Sequence, residues 1–316
     1  MNDIQKLKEG LTMGSLFGLL LLIVVFIPGS ELIALFVLPV PFVLYASRYG
    51  YRSTLLLGGI VLGFSVILSL FLFIGAIPLT LLAISAGAFI GHAIFQKRHS
   101  YETWALGSVG VTIGLLIIFV MIQVFSEVDL IEQYQSVIDE SIEITKSMTE
   151  TTGFQLAKDD LDLIKQQMNQ MITLFPSILV LISIGIAFII QWTSYKIISF
   201  RNKKRLSFPA FRTFQFPKGV IWIYLIAILL AMFPIEETGS LAAVVLNTTN
   251  LIGGLFSLQG ISFILFYCHQ KRLSIAYPIL IILSCIIFLP IGIYLTRILG
   301  IIDIGFGVRG RMKQTK

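Results

Sequence analysis

Residues 103–125, TWALGSVGVTIGLLIIFVMIQVF, and residues 173–198, TLFPSILVLISIGIAFIIQWTSYKII, decide the fold. Each stretch is longer than the roughly 20 apolar residues that an α-helix needs to cross a hydrocarbon core of about 30 Å. Between them, residues 126–172 hold ten of the 17 acidic residues of the chain. The sequence therefore predicts two membrane-spanning helices joined by one soluble, acidic excursion.

The composition of the whole chain is that of a membrane protein. Of its 316 residues, 56% are hydrophobic and 13% are charged, and the mean hydropathy is +0.92. A soluble domain usually has about a quarter of its residues charged, so this class is excluded. The net charge of +6 does not indicate nucleic acid, because 15 of the 23 bases lie in short loops between apolar stretches. We expect a lipid bilayer as the surroundings and no nucleic-acid partner.

Hydropathy predicts an all-α, polytopic transmembrane bundle of about nine spans with one extracytoplasmic acidic helical hairpin. The expected crossings are residues 11–28, 31–47, 53–74, 77–95, 103–125, 173–198, 218–234, 240–268 and 276–298. The chain then divides into five helices within 1–125, the hairpin over 126–172, a sixth helix at 173–198, a basic, aromatic cytoplasmic loop over 199–217, three helices within 218–298 and a basic tail over 299–316.

The distribution of charge predicts the orientation. With a cytoplasmic N-terminus, 15 bases and three acids fall on the cytoplasmic side, whereas three bases and 13 acids fall on the other side. We therefore expect a multi-pass plasma-membrane protein with residues 126–172 outside the cytoplasm. Nine crossings leave the basic tail outside as well. The alternative is a turn near Pro290, which would add a tenth crossing and place the tail inside.

The acidic excursion carries apolar residues at helical spacing on both sides of a turn expected at Thr149–Phe154. The first stripe is Val128, Ile131, Ile138, Ile142 and Met148, and the second is Leu161, Ile164, Met168, Met171 and Phe175. The pattern predicts an antiparallel hairpin whose stripes face each other. A lid over a binding site and a docking surface remain open as functions.

The bases and phenylalanines of residues 199–218 favour a segment on an anionic leaflet, with a partner-binding surface as the alternative.

Glycine pairs spaced by four residues predict close helix packing. The pairs are Gly14 and Gly18, Gly59 and Gly63, Gly87 and Gly91, and Gly110 and Gly114. They can serve contacts within the chain or a homomeric interface.

Neutral polar residues of the eighth span are the candidate ligand contacts. They are Asn247, Thr248, Asn250, Ser257 and Gln259. Positions 247, 250, 254 and 257 share one helical face, which should meet another helix or a cavity because lipid does not satisfy amides. Hydrogen bonds between helices and a polar ligand pocket are both consistent with this pattern. No catalytic, metal or nucleotide motif accompanies it, so we expect no enzyme, no metal and no cofactor.

Two segments resemble a known family. Leu299–Arg311 (LGIIDIGFGVRGR) and Leu7–Pro28 (LKEGLTMGSLFGLLLLIVVFIP) are similar to the YybS family of bacterial integral membrane proteins. The resemblance implies a bacterial plasma-membrane protein and brings no activity, substrate or site residue with it. The first six spans also resemble, in layout, the membrane-embedded substrate-binding subunits of energy-coupling-factor transporters.

These observations predict a binding or transport component that captures a small-molecule ligand from outside. No Walker motif is present, so an energising ATPase or another membrane partner would supply the energy. The alternative is a non-transporting scaffold or regulator that holds partners through the acidic hairpin or the basic loop. A membrane enzyme acting on lipid is a third reading, but no spacing of acid, base or nucleophile supports it.

Overall fold

The computed structural model describes residues 3–125, 129–152, 158–202, 206–233 and 239–314. Over these residues the regular structure is entirely helical, which confirms the all-α class. The helices are α1 (Asp3–Phe26), α2 (Glu31–Val37), α3 (Pro39–Phe71), α4 (Ala76–Phe95), α5 (Ser100–Phe125), α6 (Leu130–Thr152), α7 (Lys158–Asn202), α8 (Gly219–Ala231), α9 (Ser240–Gln270), α10 (Ala276–Ile287), α11 (Leu289–Phe306) and α12 (Val308–Gln314).

Seven of the described helical runs are long and apolar enough to cross a membrane. One of them, Glu31–Phe71, has 41 residues and contains two predicted crossings. Gly50 separates these crossings with φ 74° and ψ 178°, a backbone conformation that glycine adopts without the steric cost of a Cβ. Helices α8 and α10 are apolar but shorter, with 13 and 12 residues. The chain forms two compact units, the first from residues 1–168 and 182–208 and the second from residues 169–181 and 209–316.

The first unit is built around α3, α4 and α5. A Cβ at Gly110 would lie 2.8 Å from the Cβ of Phe89, and a Cβ at Gly114 would lie 2.7 Å from the Cα of Leu82. Glycine therefore lets α5 approach α4 closely, as the spacing predicted. Gly87 and Gly91 do the same between α4 and α3. The pair at 59 and 63 differs, because no atom lies within 4 Å of a Cβ built at either position.

Helices α6 and the start of α7 run antiparallel, as predicted for the hairpin. The Tyr134 hydroxyl donates to the Met168 carbonyl at 3.2 Å, and Lys165 pairs with Asp139 at 2.6 Å. Ile138 and Leu161 are buried, whereas the predicted stripe members Ile131, Met148 and Ile164 are exposed. Val128 and residues 153–157 of the hairpin lie outside the described residues.

The second unit is built around a crossing of α9 and α11. Gly260 faces the Thr296 carbonyl, and Gly300 faces the Phe256 carbonyl, so that the two backbones touch at both points. The Ser257 hydroxyl donates across this contact to the Ile293 carbonyl at 3.2 Å. Contacts advance in the same direction along both helices, from Gly253 with Arg297 to Gln259 with Asp303, so α9 and α11 run parallel.

The expected single crossing at 276–298 is wrong. The helix ends at Ile287, Phe288 has φ −102° and ψ 59°, and a new helix begins at Leu289. The chain reverses here, because Gly292 lies against the Cys285 backbone. Helix α11 then returns beside α9, and the Gln270 amide donates to the Met312 carbonyl at 3.2 Å. The tail therefore lies at the Gln270 end of α9, which agrees with the alternative of a turn near Pro290.

The basic loop over 199–217 packs several of its phenylalanines into the protein. In the first unit, Phe208 contacts Phe188 with ring centroids 4.9 Å apart. In the second unit, Phe214 is buried beside Phe216, with centroids 4.7 Å apart. Phe200, by contrast, is 90% exposed. Residues 203–205, which supply three of the predicted interfacial bases, lie outside the described residues.

Candidate functional site

The amide of Asn247 is held by the start of the sixth span. Its Nδ2 donates to the carbonyls of Thr173 at 2.7 Å and Ala243 at 2.8 Å, and its Oδ1 accepts from the Ser177 N–H at 3.0 Å. Thr173 C=O and Ser177 N–H are the two groups that a regular α-helix pairs with each other. Pro176 lies between them, and a proline inside a helix disturbs this pairing. Asn247 therefore satisfies backbone groups that lipid would leave unsatisfied.

The other predicted residues of this stripe are distributed over different neighbours. Asn250 Nδ2 donates to the Ser177 hydroxyl at 2.9 Å. Ser257 donates to the carbonyls of Gly253 and Ile293. Thr248 is half-buried and makes no side-chain hydrogen bond to the described part of the chain. These contacts agree with hydrogen bonding between helices. Whether the stripe also contacts a ligand stays a prediction.

Gln259 belongs to a separate buried polar cluster, which we call the Arg309 cluster. It consists of Gln259, Ser262, Asp303 and Arg309. Gln259 Nε2 donates to Asp303 Oδ2 at 2.5 Å, and Gln259 Oε1 accepts from the Phe216 N–H at 3.1 Å. Gln259 and Asp303 are both 0% exposed.

The guanidinium of Arg309 occupies the centre of this cluster. Its Nε donates to Asp303 Oδ2 at 2.8 Å, and one terminal nitrogen donates to the carbonyls of Arg212 and Phe214 at 2.8 and 3.0 Å. The other terminal nitrogen donates to the Ser262 hydroxyl at 3.1 Å. These bonds use most of the five donors of an arginine and tie the loop before α8 to α9 and α11.

Local sequence explains how Arg309 reaches Asp303. Gly307 has φ 59° and ends α11 in a left-handed conformation, a common helix C-terminus. The chain turns back over the next two residues and brings Arg309 to a carboxylate six positions earlier. The second oxygen of that carboxylate, Asp303 Oδ1, is buried without a hydrogen-bond partner in the described structure.

Arg297 is a second ionisable group in α11. It is the ninth of the 18 residues of this mostly apolar helix, and its guanidinium lies against Gly253 of α9. A Cβ at Gly253 would lie 2.5 Å from Arg297 Cζ. The Nε is buried and unpaired, and no carboxylate of the described residues lies within ion-pair distance.

Arg297, Asp303 and Arg309 are not among the site residues predicted from the sequence, because a single crossing at 276–298 places Asp303 and Arg309 in a tail. The preference of the four tail bases for the cytoplasmic side was the signal that pointed to a further crossing. The described residues contain no group of three or more potential metal ligands.

Comparison with known proteins agrees with the resemblance found in the sequence. Residues 15–304 match the family described as "Predicted membrane protein (DUF2232)". The chain is 27% identical over 315 residues to "Uncharacterized protein YybS" of Bacillus subtilis (strain 168), and the alignment covers 99% of this chain and 100% of that protein. No solved structure matches the chain. Because the family match extends from the first helix to Ile304, the chain belongs to the DUF2232 family of predicted membrane proteins.

Proposed function

We propose that the protein binds or transports a small solute and that its site lies where α9 meets α11. The supporting observation is the presence of Arg297 and Asp303 inside an apolar helix, each with a polar atom that is buried and unpaired in the described structure. Ionisable groups within transmembrane segments are costly, and they commonly mark substrate or ion pathways. A helix pair that packs only for stability does not need them.

The break between α10 and α11 supports the same location. Two helices of 12 and 18 residues replace one long crossing, and the chain reverses between them at Phe288. In transporters, interrupted helices often surround the binding site near the middle of the bilayer. The polar residues Asn250 and Ser257 of α9 flank the Gly253 position that contacts Arg297.

Energy for transport would come from a partner, because the sequence contains no Walker motif. An ATPase module is the partner that we propose, by analogy with the layout of energy-coupling-factor transporters. In the orientation that the charge distribution favours, the tail and the loop before α8 face this ATPase in the cytoplasm.

The test is affinity purification of the tagged full chain from its native host in mild detergent, followed by mass spectrometry. We expect an ATPase subunit, a tightly bound small molecule, or both. Recovery of the chain alone, or with cell-envelope proteins only, would contradict a transport component.

The acidic hairpin favours a second candidate, a scaffold that docks a partner outside the cytoplasm. Among its described carboxylates, Glu132, Glu140 and Glu143 are exposed. Replacement of residues 128–171 by a short linker should remove an external partner in the scaffold case. In the transport case the shortened chain should still retain its solute, provided that its thermal unfolding stays cooperative.

A further inference from the structure

The position of Arg297 requires a compensating group. About 12 to 14 Å of helix separate it from either end of α11, at 1.5 Å per residue. A charged side chain at the centre of a transmembrane helix is unfavourable, and such residues normally pair with other polar groups or face a water-filled cavity. An arginine retained at this depth therefore has a structural or functional partner.

The protein itself does not provide that partner among its described residues. Arg297 makes no ion pair or side-chain hydrogen bond there, and its Nε is buried. Asp303 is the one carboxylate among the described residues of the second unit. It is already bound by Arg309 and Gln259. Within the described residues, the positive charge of Arg297 thus has no counter-charge.

Gly253 makes the placement of this charge possible. The guanidinium lies where the side chain of any other residue would be, since a Cβ at position 253 would be 2.5 to 2.8 Å from Cζ, Nε and one terminal nitrogen. Arg297 is consequently held against the α9 backbone. Asn250, Gly253 and Ser257 follow one another at spacings of three and four, so the guanidinium lies on the polar face of α9.

We propose that Arg297 binds the anionic group, a carboxylate or a phosphate, of the ligand that this protein recognises. The inference rests on the proposed function and names the chemical class of its ligand. A planar guanidinium donates two parallel hydrogen bonds to such groups, and these charge-assisted bonds are stronger than neutral ones. The same chemistry suits a soluble organic anion and the headgroup of an anionic lipid.

The test measures thermal unfolding of the full chain in phosphatidylcholine nanodiscs, with sodium phosphate or sodium acetate replacing sodium chloride at equal ionic strength. We expect phosphate or acetate to raise the Tm of the wild type, and neutral acetamide to leave it unchanged. Arg297→Gln should weaken the apparent affinity at least tenfold, and Arg297→Lys should weaken it less. Arg311→Gln, at an exposed position, is the matched control and should bind like the wild type.

A second variant leaves the charge in place. Gly253→Ala should displace the guanidinium and lower the affinity, even if Arg297→Gln proves unstable. Nanodiscs that contain phosphatidylglycerol distinguish a soluble anion from a lipid headgroup as the ligand. A rise in Tm that requires this lipid identifies the headgroup. Equal shifts in the wild type and both variants would overturn the inference, as would no shift with phosphate, acetate or phosphatidylglycerol. A co-purified neutral solute whose affinity Arg297→Gln leaves unchanged would overturn the inference and leave the proposed function standing.

Discussion

Replacement of Asn247 by leucine should destabilise the protein, and the size of the effect should depend on Pro176. The amide of Asn247 satisfies the Thr173 carbonyl and the Ser177 N–H. Leucine leaves both groups without this partner in a helix that the ring of Pro176 distorts, so that they pair with each other less well than in a regular helix. An unsatisfied buried polar group costs about 1–3 kcal/mol, and interhelical hydrogen bonds in membranes average about 0.6 kcal/mol. With two groups, each near the lower limit of this range, we expect the free energy of unfolding to fall by about 2 kcal/mol.

The proline provides the internal test of this explanation. In Pro176→Ala the proline ring no longer distorts the helix, so residues 177 and 173 can pair regularly and Asn247→Leu should then cost no more than about 0.6 kcal/mol, the average for one interhelical bond. The difference between the two backgrounds is the coupling energy of a double-mutant cycle. Asn250→Leu removes only one described hydrogen bond, to the Ser177 side chain. It should cost about 0.6 kcal/mol in the wild-type background and serves as the matched control.

The measurement is the free energy of unfolding in detergent micelles, obtained by titration with sodium dodecyl sulfate and followed by circular dichroism. If Asn247→Leu lowers the free energy of unfolding equally with and without Pro176, the amide does not compensate for the proline, and the reasoning is refuted. A separate ligand-binding measurement on the folded variants would show whether Asn247 also contacts the solute.

Arg309→Gln should lower the free energy of unfolding by about 3–5 kcal/mol, because it leaves the buried carboxylate of Asp303 without its counter-ion. In the same titration, the double variant Asp303→Leu with Arg309→Met should recover most of that loss. Gly260→Ala should cost about 1–3 kcal/mol by forcing α9 and α11 apart, whereas Gly59→Ala, where a Cβ meets nothing within 4 Å, should be neutral or slightly stabilising in a thermal melt. The pKa of Asp129 is held below its ordinary value by hydrogen bonds to its carboxylate. The largest effect comes from the backbone N–H of Glu132, and smaller ones come from the Gln123 side chain and the backbone N–H of Ile131. This contribution to the start of α6 is therefore present above the unfolded pKa of about 3.9 and is lost as the pH falls through the lower folded pKa. Amide NMR shifts of the first turn should show a titration with a midpoint below that value, and this titration should be absent in Asp129→Asn.

Part of the polar chemistry of the second unit could be read from the sequence. The spacing of Asn247, Asn250 and Ser257 correctly indicated a face that meets other parts of the protein, since each of these side chains bonds to a neighbouring segment. The pattern could not tell which segments these are, because the partners lie between 36 and 74 residues away. Gln259 was grouped with this stripe by proximity in sequence, whereas its contacts are with Asp303 and Phe216.

The sequence alone determined that this protein is a helical membrane protein with an acidic hairpin, because hydropathy over 20 residues and helical periodicity are local properties of a chain. It left the number of C-terminal crossings open, since a break at Phe288 depends on the surroundings of both helices. Only the tertiary structure decided that α11 returns beside α9, which brings Arg309 to Asp303 and Arg297 to Gly253. The physical reason is that packing selects contacts between residues far apart in the chain, such as Arg297 and Gly253, whereas hydropathy and periodicity describe one segment at a time.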